Sequence, residues 1–94
     1  MTIKFSKQAK EELFSSAKFY ENRVSGLGKR FKTEIKKQVH FIKNNPNAAE
    51  EKYNQIRVLV IKKFPFTIHY RIENEFIVIV AIFHSSRNPP NLKR

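Results

Sequence analysis

Residues 64–84, FPFTIHYRIENEFIVIVAIFH, decide the fold of this 94-residue chain. From Phe66 to Ile72 apolar residues alternate with polar ones, which is typical of a β-strand with one buried face. Glu73-Asn74-Glu75 then predicts a hairpin turn. The following run, Phe76 to Phe83, is apolar on both faces and indicates a central strand covered on both sides or nearly so. We therefore expect an antiparallel hairpin whose second strand ends at His84.

A third strand precedes this hairpin. Ile56, Val58 and Val60 alternate with Arg57, Leu59 and Ile61, and the segment is rich in β-branched residues. Phe64-Pro65 separates it from the next strand, and residues 48–54 form a polar stretch before it. The C-terminal half therefore predicts a three-stranded antiparallel meander.

The N-terminal half predicts a short strand at residues 2–5 and then two amphipathic helices. In the first helix, which begins after the N-cap Ser6, apolar residues recur every three or four positions, and Phe14 and Phe19 widen this stripe. Residues 25–28 contain two glycines and connect the helices, and Asn45-Pro46 ends the second. The stripes are Ala9, Leu13, Ala17, Tyr20 and Val24, then Leu27, Phe31, Ile35, Val39 and Ile42. We expect one α+β domain over residues 1–94, in which an antiparallel helical hairpin covers one face of the sheet.

The second strong signal is charge. Nineteen Lys and Arg residues against eight Glu and no Asp give a formal net charge of +11. Residues 1–55 hold twelve bases and six acids, and residues 56–94 hold seven and two, so the excess is not a basic tail. Such a fold indicates an anionic partner, either nucleic acid or an acidic protein segment. The alternative is that excess lysine only aids solubility.

Several classes of protein are disfavoured by the residues themselves. There is no cysteine, no apolar run long enough to span a bilayer, and no signal-peptide core at the start of the sequence. We therefore expect a cytoplasmic protein without a membrane partner. His40, His69 and His84 lack metal-ligand spacing, and no phosphate-binding glycine loop is present, so neither a metal nor a cofactor is expected. The paired glutamates 11/12, 50/51 and 73/75 are interpreted as solvated.

A cationic and aromatic set remains in the C-terminal half. Alternation places Thr67, His69 and Arg71 on one face of their strand, and Tyr70 on the other, core-facing side. His69 and Arg71 are thus expected to join a basic sheet surface. His84 and Arg87 follow the central strand, where they suit either proton transfer and phosphate binding or plain strand capping and a salt bridge. The complete set is Arg57, Lys62, Lys63, His69, Tyr70, Arg71, His84 and Arg87.

The ordered pattern of these segments resembles the RelE/ParE superfamily of type II toxin–antitoxin toxins. The resemblance runs through Ala9-x3-Leu13, Phe19-Tyr20, Gly26-Leu27-Gly28-x2-Phe31-x3-Ile35, Asn45-Pro46, Tyr53-x2-Ile56-Arg57, Phe64-Pro65-Phe66-x-Ile68-x-Tyr70-x-Ile72 and Ala81-Ile82-Phe83-His84-x2-Arg87-Asn88-Pro89. It covers most of the chain and is closest to the ParE, plasmid-stabilisation side.

The resemblance implies a growth-inhibiting toxin that a co-expressed antitoxin neutralises through an acidic or amphipathic segment. ParE-like members inhibit DNA gyrase, whereas RelE-like members cut mRNA in the ribosome. Nuclease members typically have an arginine where this chain has Thr67, and often an aromatic residue just after the last-strand histidine, where this chain has Ser85. We therefore favour a ParE-like, non-nuclease inhibitor. A ribosome-dependent endonuclease and a nontoxic nucleic-acid-binding member remain the alternatives.

The site residues follow from this interpretation. His84, Arg87 and Arg57 are the catalytic candidates if the protein is a nuclease. Lys62, Lys63, His69, Arg71 and Arg87 are the binding candidates.

Overall fold

The chain folds around its last strand, which lies inside a five-stranded mixed sheet. The computed structural model describes residues 1–86. In chain order the elements are β1 (Thr2–Phe5), α1 (Lys7–Arg23), α2 (Leu27–Asn44), β2 (Glu51–Tyr53), β3 (Ile56–Val60), β4 (Phe66–Glu73) and β5 (Phe76–His84). The sheet order is β1-β5-β4-β3-β2, with β1 parallel to β5 and all other neighbours antiparallel. The predicted α+β architecture, including the helical hairpin and the β3-β4-β5 meander, is confirmed.

Strand β2 was not predicted, because residues 48–54 read as a polar connection. Asn54 and Gln55 have φ angles of 43° and 63°, and they form a two-residue turn that pairs Tyr53 with Ile56. Two successive left-handed residues match the right-handed twist of paired strands, so they close a hairpin. Asn-Gln is a weak signal for this turn compared with Asn-Gly, which explains the miss.

The two helices pack closely at their connection. Ser6 caps α1 as predicted, with its hydroxyl accepting from the Ala9 N–H at 3.0 Å. A Cβ on Gly28 would lie 2.4 Å from the Ala17 carbonyl oxygen, so only glycine permits this approach. The Glu21 carboxylate accepts from the N–H groups of Gly26 and Gly28, both at 2.9 Å. These backbone donors, Gly26 first, lower the pKa of Glu21 and stabilise the start of α2.

The core lies between the helices and one face of the sheet. Its fully buried members include Phe31, Ile35, Ile42, Ile68, Tyr70, Ile77, Ile79 and Ile82. The α2 stripe and the core position of Tyr70 are therefore confirmed. The expected widening of the α1 stripe is wrong, because Phe14 and Phe19 are 59% and 53% exposed. Within residues 1–86, neither helix combines the length and apolarity that crossing a bilayer requires.

A β-bulge in β5 changes which face its side chains occupy. Ile79 pairs with Tyr70 and Ala81 pairs with His69, so Val80 is an extra residue opposite β4. Glu12 of α1 accepts from the Ile82 N–H at 2.7 Å, and the Ser6 hydroxyl donates to the Val80 carbonyl at 3.0 Å. Glu12 is therefore bound to the sheet rather than solvated, which corrects the sequence interpretation.

The second face of the sheet carries neither helix. The expectation that β5 is covered on both sides is wrong, because Phe76, Val78 and Val80 on that side are only half-buried. Its most buried residue is His69, which is fully inaccessible and lies between the rings of Tyr53 and Phe83. The Tyr53 hydroxyl is 2.9 Å from His69 Nδ1, and the Thr67 hydroxyl is 2.8 Å from Nε2. A neutral imidazole satisfies both contacts, with one nitrogen donating and the other accepting.

Burial of His69 predicts a stability that falls on mild acidification. Desolvation lowers the pKa of His69 to about 4 in the folded protein, compared with 6.5 ordinarily. Between these pH values the unfolded chain binds the proton and the folded chain does not. The free energy of unfolding therefore decreases as pH falls from about 6.5 to about 4. Between pH 7 and pH 5 this loss is about 2 kcal/mol. Urea unfolding at the two pH values measures it.

The matched variants are His69→Gln and His40→Gln. His40 is exposed, so H40Q keeps the pH-dependent loss, whereas H69Q lacks it even if it is less stable throughout. An equal change between pH 7 and pH 5 in H69Q and in the wild type would contradict the assignment to His69.

Candidate functional site

His84 lies at the end of β5 on the helix-covered side of the sheet. It pairs with Phe66, and the two rings are 5.2 Å apart in an edge contact. Together with residues of α1 it lines a groove of about 290 Å³, which we call the His84 groove. The lining residues are Ser15, Ser16, Phe19, Tyr20, Phe66 and His84. The groove therefore combines one titratable ring with an apolar wall and two hydroxyl groups.

The His84 ring is held by its own loop. Its Nδ1 accepts from the Ser86 N–H at 3.1 Å, and the Ser86 hydroxyl lies 2.7 Å from the same atom. With Nδ1 accepting, the neutral ring carries its proton on Nε2 and presents a donor on the opposite side. This arrangement suits binding of an acceptor on a partner.

Phe19 was missed as a surface residue by sequence reasoning. Its ring packs edge-on against Tyr20 with centroids 5.6 Å apart, and the Arg23 guanidinium carbon lies 4.6 Å from its centroid. Helical spacing placed Phe19 beside the apolar stripe of α1, but its side chain is 53% exposed. Exposed aromatic rings of this kind are common anchors of protein interfaces.

Arg57 holds the loop that follows α2. Its guanidinium donates to the carbonyls of Asn47 and Ala49 at 3.4 and 2.7 Å. Tyr70, its partner across β3 and β4, donates its hydroxyl to the Pro46 carbonyl at 2.8 Å. Together, Arg57 and Tyr70 satisfy three loop carbonyls, so both have a clear structural role.

The structure does not bring the catalytic candidates Arg57 and His84 together. Arg57 is opposite Tyr70 and His84 is opposite Phe66, on the two sides of β4. Tyr70 and Phe66 are four positions apart, which corresponds to roughly 13 Å along β4. A general acid or base and a cation must both reach one phosphate to cleave it, and this arrangement keeps them apart.

The predicted binding residues are scattered. Lys62 and Lys63 are exposed in the connection between β3 and β4, as expected of a basic surface. Arg71 is half-buried and paired with Glu73, and the buried His69 has no accessible cationic form near neutral pH. The expected basic sheet surface is therefore not formed by these two residues. Arg87, predicted both as a catalytic and as a binding residue, lies outside the described residues.

A second groove, which was not predicted from the sequence, lies between α2 and β3. This α2–β3 groove has a volume of about 380 Å³ and is lined by Glu34, Lys37, Gln38, Phe41, Leu59, Val60, Lys62 and Lys63. Val60 is 63% exposed and Phe41 is 43% exposed. The last backbone hydrogen bond on this side of β3 joins the Val58 N–H to the Glu50 carbonyl at 3.2 Å, so Leu59 and Val60 lie at the sheet edge.

Residues 1–86 contain no group of three His, Cys, Asp or Glu side chains placed to hold a metal ion. The described site consists instead of the His84 groove and the α2–β3 groove. Both are apolar surfaces with polar or cationic edges, which is the composition of a binding surface.

Comparison with known proteins agrees with this description. A solved structure titled "Chromosomal ParDE TA system from P. aeruginosa" superposes with a TM-score of 0.77 at 21% sequence identity, covering 89% of this chain and 95% of that one. At this identity the likeness shows the fold. No curated protein matches the chain significantly. The family model of the ParE toxin of the type II toxin–antitoxin system parDE matches residues 3–89. The chain therefore belongs to the ParE toxin family of type II toxin–antitoxin systems.

Proposed function

We propose that this protein arrests bacterial growth by binding and inhibiting DNA gyrase, and that a cognate antitoxin neutralises it. The observation that carries the proposal is the family match over residues 3–89. The gyrase target follows from the resemblance to the ParE side of the superfamily. The antitoxin follows from the parDE family description and from the solved relative, whose title names a ParDE toxin–antitoxin system.

Inhibition by binding is favoured over RNA cleavage by the placement of the candidate residues. The Arg57 guanidinium donates to the loop carbonyls of Asn47 and Ala49. Its partner on β4 is four positions away from the β4 partner of His84. The Thr67 hydroxyl contacts His69 rather than facing an open cleft. Within residues 1–86, the residues that line the His84 groove include no Lys or Arg to stabilise a phosphorane.

The His84 groove is the surface that we assign to the target. It offers the exposed ring of Phe19, the imidazole of His84 and the hydroxyls of Ser15 and Ser16. An aromatic anchor beside a few polar groups is the composition of an interface hot spot. The groove is built by regular elements, α1 and the end of β5, so a partner meets a preformed surface.

This assignment predicts loss of gyrase inhibition when Phe19 is truncated. Purified wild-type protein should block supercoiling by gyrase at micromolar concentration, and Phe19→Ala should weaken the inhibition by at least about tenfold, as expected for a hot-spot aromatic residue. Phe14→Ala is the control, because Phe14 is equally exposed on the same helix but does not line the groove.

Three outcomes would contradict the proposal. Supercoiling that is unaffected by the wild-type protein would exclude gyrase as the target. Primer extension after induction that reveals new 5′ ends in translated mRNA would favour the endonuclease alternative. Expression without growth arrest would instead indicate a nontoxic family member.

The α2–β3 groove is the surface that we assign to the antitoxin. Its exposed apolar residues, Phe41 and Val60, lie beside Lys37, Lys62 and Lys63. An acidic amphipathic segment matches both features. An extended segment gains backbone hydrogen bonds as well when it adds to the edge of β3.

Replacing an apolar residue of this groove by a charged one should disrupt the complex. We predict that Val60→Lys abolishes capture of the antitoxin encoded beside the gene in a co-expression pull-down, because a buried unpaired ammonium opposes docking. Val24→Lys is the matched control, since Val24 is 55% exposed at the end of α1, remote from β3. Equal capture by V60K and V24K would contradict the assignment, provided that both variants melt cooperatively.

A further inference from the structure

The outer face of α2 is densely cationic and distinct from both grooves. Successive residues of an α-helix are rotated by about 100° around its axis. In α2 this places Phe31, Ile35 and Val39 on the core side, and the opposite side faces solvent. The exposed side carries Lys29, Arg30, Lys36 and Lys43, which we call the α2 cationic face. Lys32 is also exposed but lies towards Glu21 of α1, and Lys37 belongs to the α2–β3 groove. Lys29, Lys36 and Lys43 recur every seven residues, so they form one stripe roughly 21 Å long.

These charges are not neutralised within the described residues. The salt bridges of residues 1–86 are Lys52–Glu50 and Arg71–Glu73, and neither includes α2. The single acid of α2 is Glu34, which is only 7% exposed and accepts from Gln38 at 2.8 Å. On the adjacent helix, Glu12 and Glu21 accept from backbone N–H groups of β5 and of the helix connection. Within residues 1–86, none of these three carboxylates forms a salt bridge with a cation of α2.

The composition of this face favours a phosphate backbone over an acidic protein segment. Between its cations lie Thr33, His40 and Asn44, all exposed and polar. A protein interface has an apolar centre, which this face lacks. It also lacks a row of aromatic rings, on which single-stranded bases stack. Duplex DNA, with about one charge per 1.7 Å of axis, presents roughly a dozen charges along a 21 Å stripe.

We propose that the α2 cationic face binds the phosphate backbone of duplex DNA without sequence preference. This activity is separate from the proposed gyrase inhibition and antitoxin binding, which use the His84 groove and the α2–β3 groove. Its physical basis is counterion release, so affinity depends steeply on salt and weakly on sequence.

The test is fluorescence anisotropy of the full chain with a labelled 20-base-pair duplex between 50 and 200 mM KCl. We expect the triple variant K29Q/K36Q/K43Q to reduce the slope of log affinity against log salt by roughly three, because three phosphate contacts are lost. The control K4Q/K7Q/K10Q removes the same charge from exposed positions on β1 and α1, and should change the slope by less than about one. Glutamine preserves helix propensity, and thermal melts verify folding of both variants.

The named outcomes separate the possibilities. Equal slope changes in the two triple variants would overturn the proposal, since they would indicate a general charge effect without a defined face. Tighter binding to a single strand or to duplex RNA than to duplex DNA would also overturn it. So would displacement of DNA by polyglutamate at equal charge concentration, which would identify an acidic protein segment as the partner. Loss of gyrase inhibition without loss of DNA binding would leave this proposal intact.

Discussion

The structure depends on one irregularity in β5, the bulge at Val80 that α1 holds in place. Without an extra residue, strict alternation would put Ile82 and His84 on the opposite face from Ile77 and Ile79. The bulge reverses the alternation, so both halves of the strand contribute buried residues to the same core. The Ser6 hydroxyl bonds the Val80 carbonyl, and Glu12 bonds the N–H of Ile82 just beyond it, which couples the first helix to β5. The His84 groove exists because of this coupling.

The acids of the helical layer explain the surface charge. Glu12 binds the β5 backbone, Glu21 binds the start of α2, and Glu34 is buried beside Gln38. Each carboxylate is hydrogen-bonded within the fold, and none of the three forms a salt bridge with a lysine in residues 1–86. Helix α2 itself carries six Lys and Arg residues against one glutamate, Glu34, so a large share of the charge excess lies on this helix. Self-repulsion on this scale is tolerated where an anionic partner is available.

Much of the fold was predictable, because its signals are periodic. The stripes around Phe31 and Ile35, the alternation through Tyr70 and the cap at Ser6 each follow from local rules. The bulge was not predictable, since a change of phase is invisible where every residue from Phe76 to Phe83 is apolar. The same apolar run concealed that one face of the sheet carries no helix.

The site was predicted less well, because its residues depend on tertiary contacts. Alternation placed His69 on the correct face but not in a buried cluster, which the rings of Tyr53 and Phe83 create. Arg57 was predicted as a site residue because the sequence does not show that it donates to the carbonyl of Ala49 in the loop after α2. Phe19 and Val60 are exposed apolar residues, and periodicity alone assigns such residues to the core.

The position of His84 tests this account most directly. Nuclear Overhauser contacts in the wild-type protein should connect the His84 ring protons with the rings of Phe66 and Tyr20, and those of Phe83 with the His69 ring. Contacts of His84 with the side chains of Thr67 and His69 would place it on the opposite face of the sheet. That result would contradict the bulge, the coupling to α1 and the groove that we assign to the target.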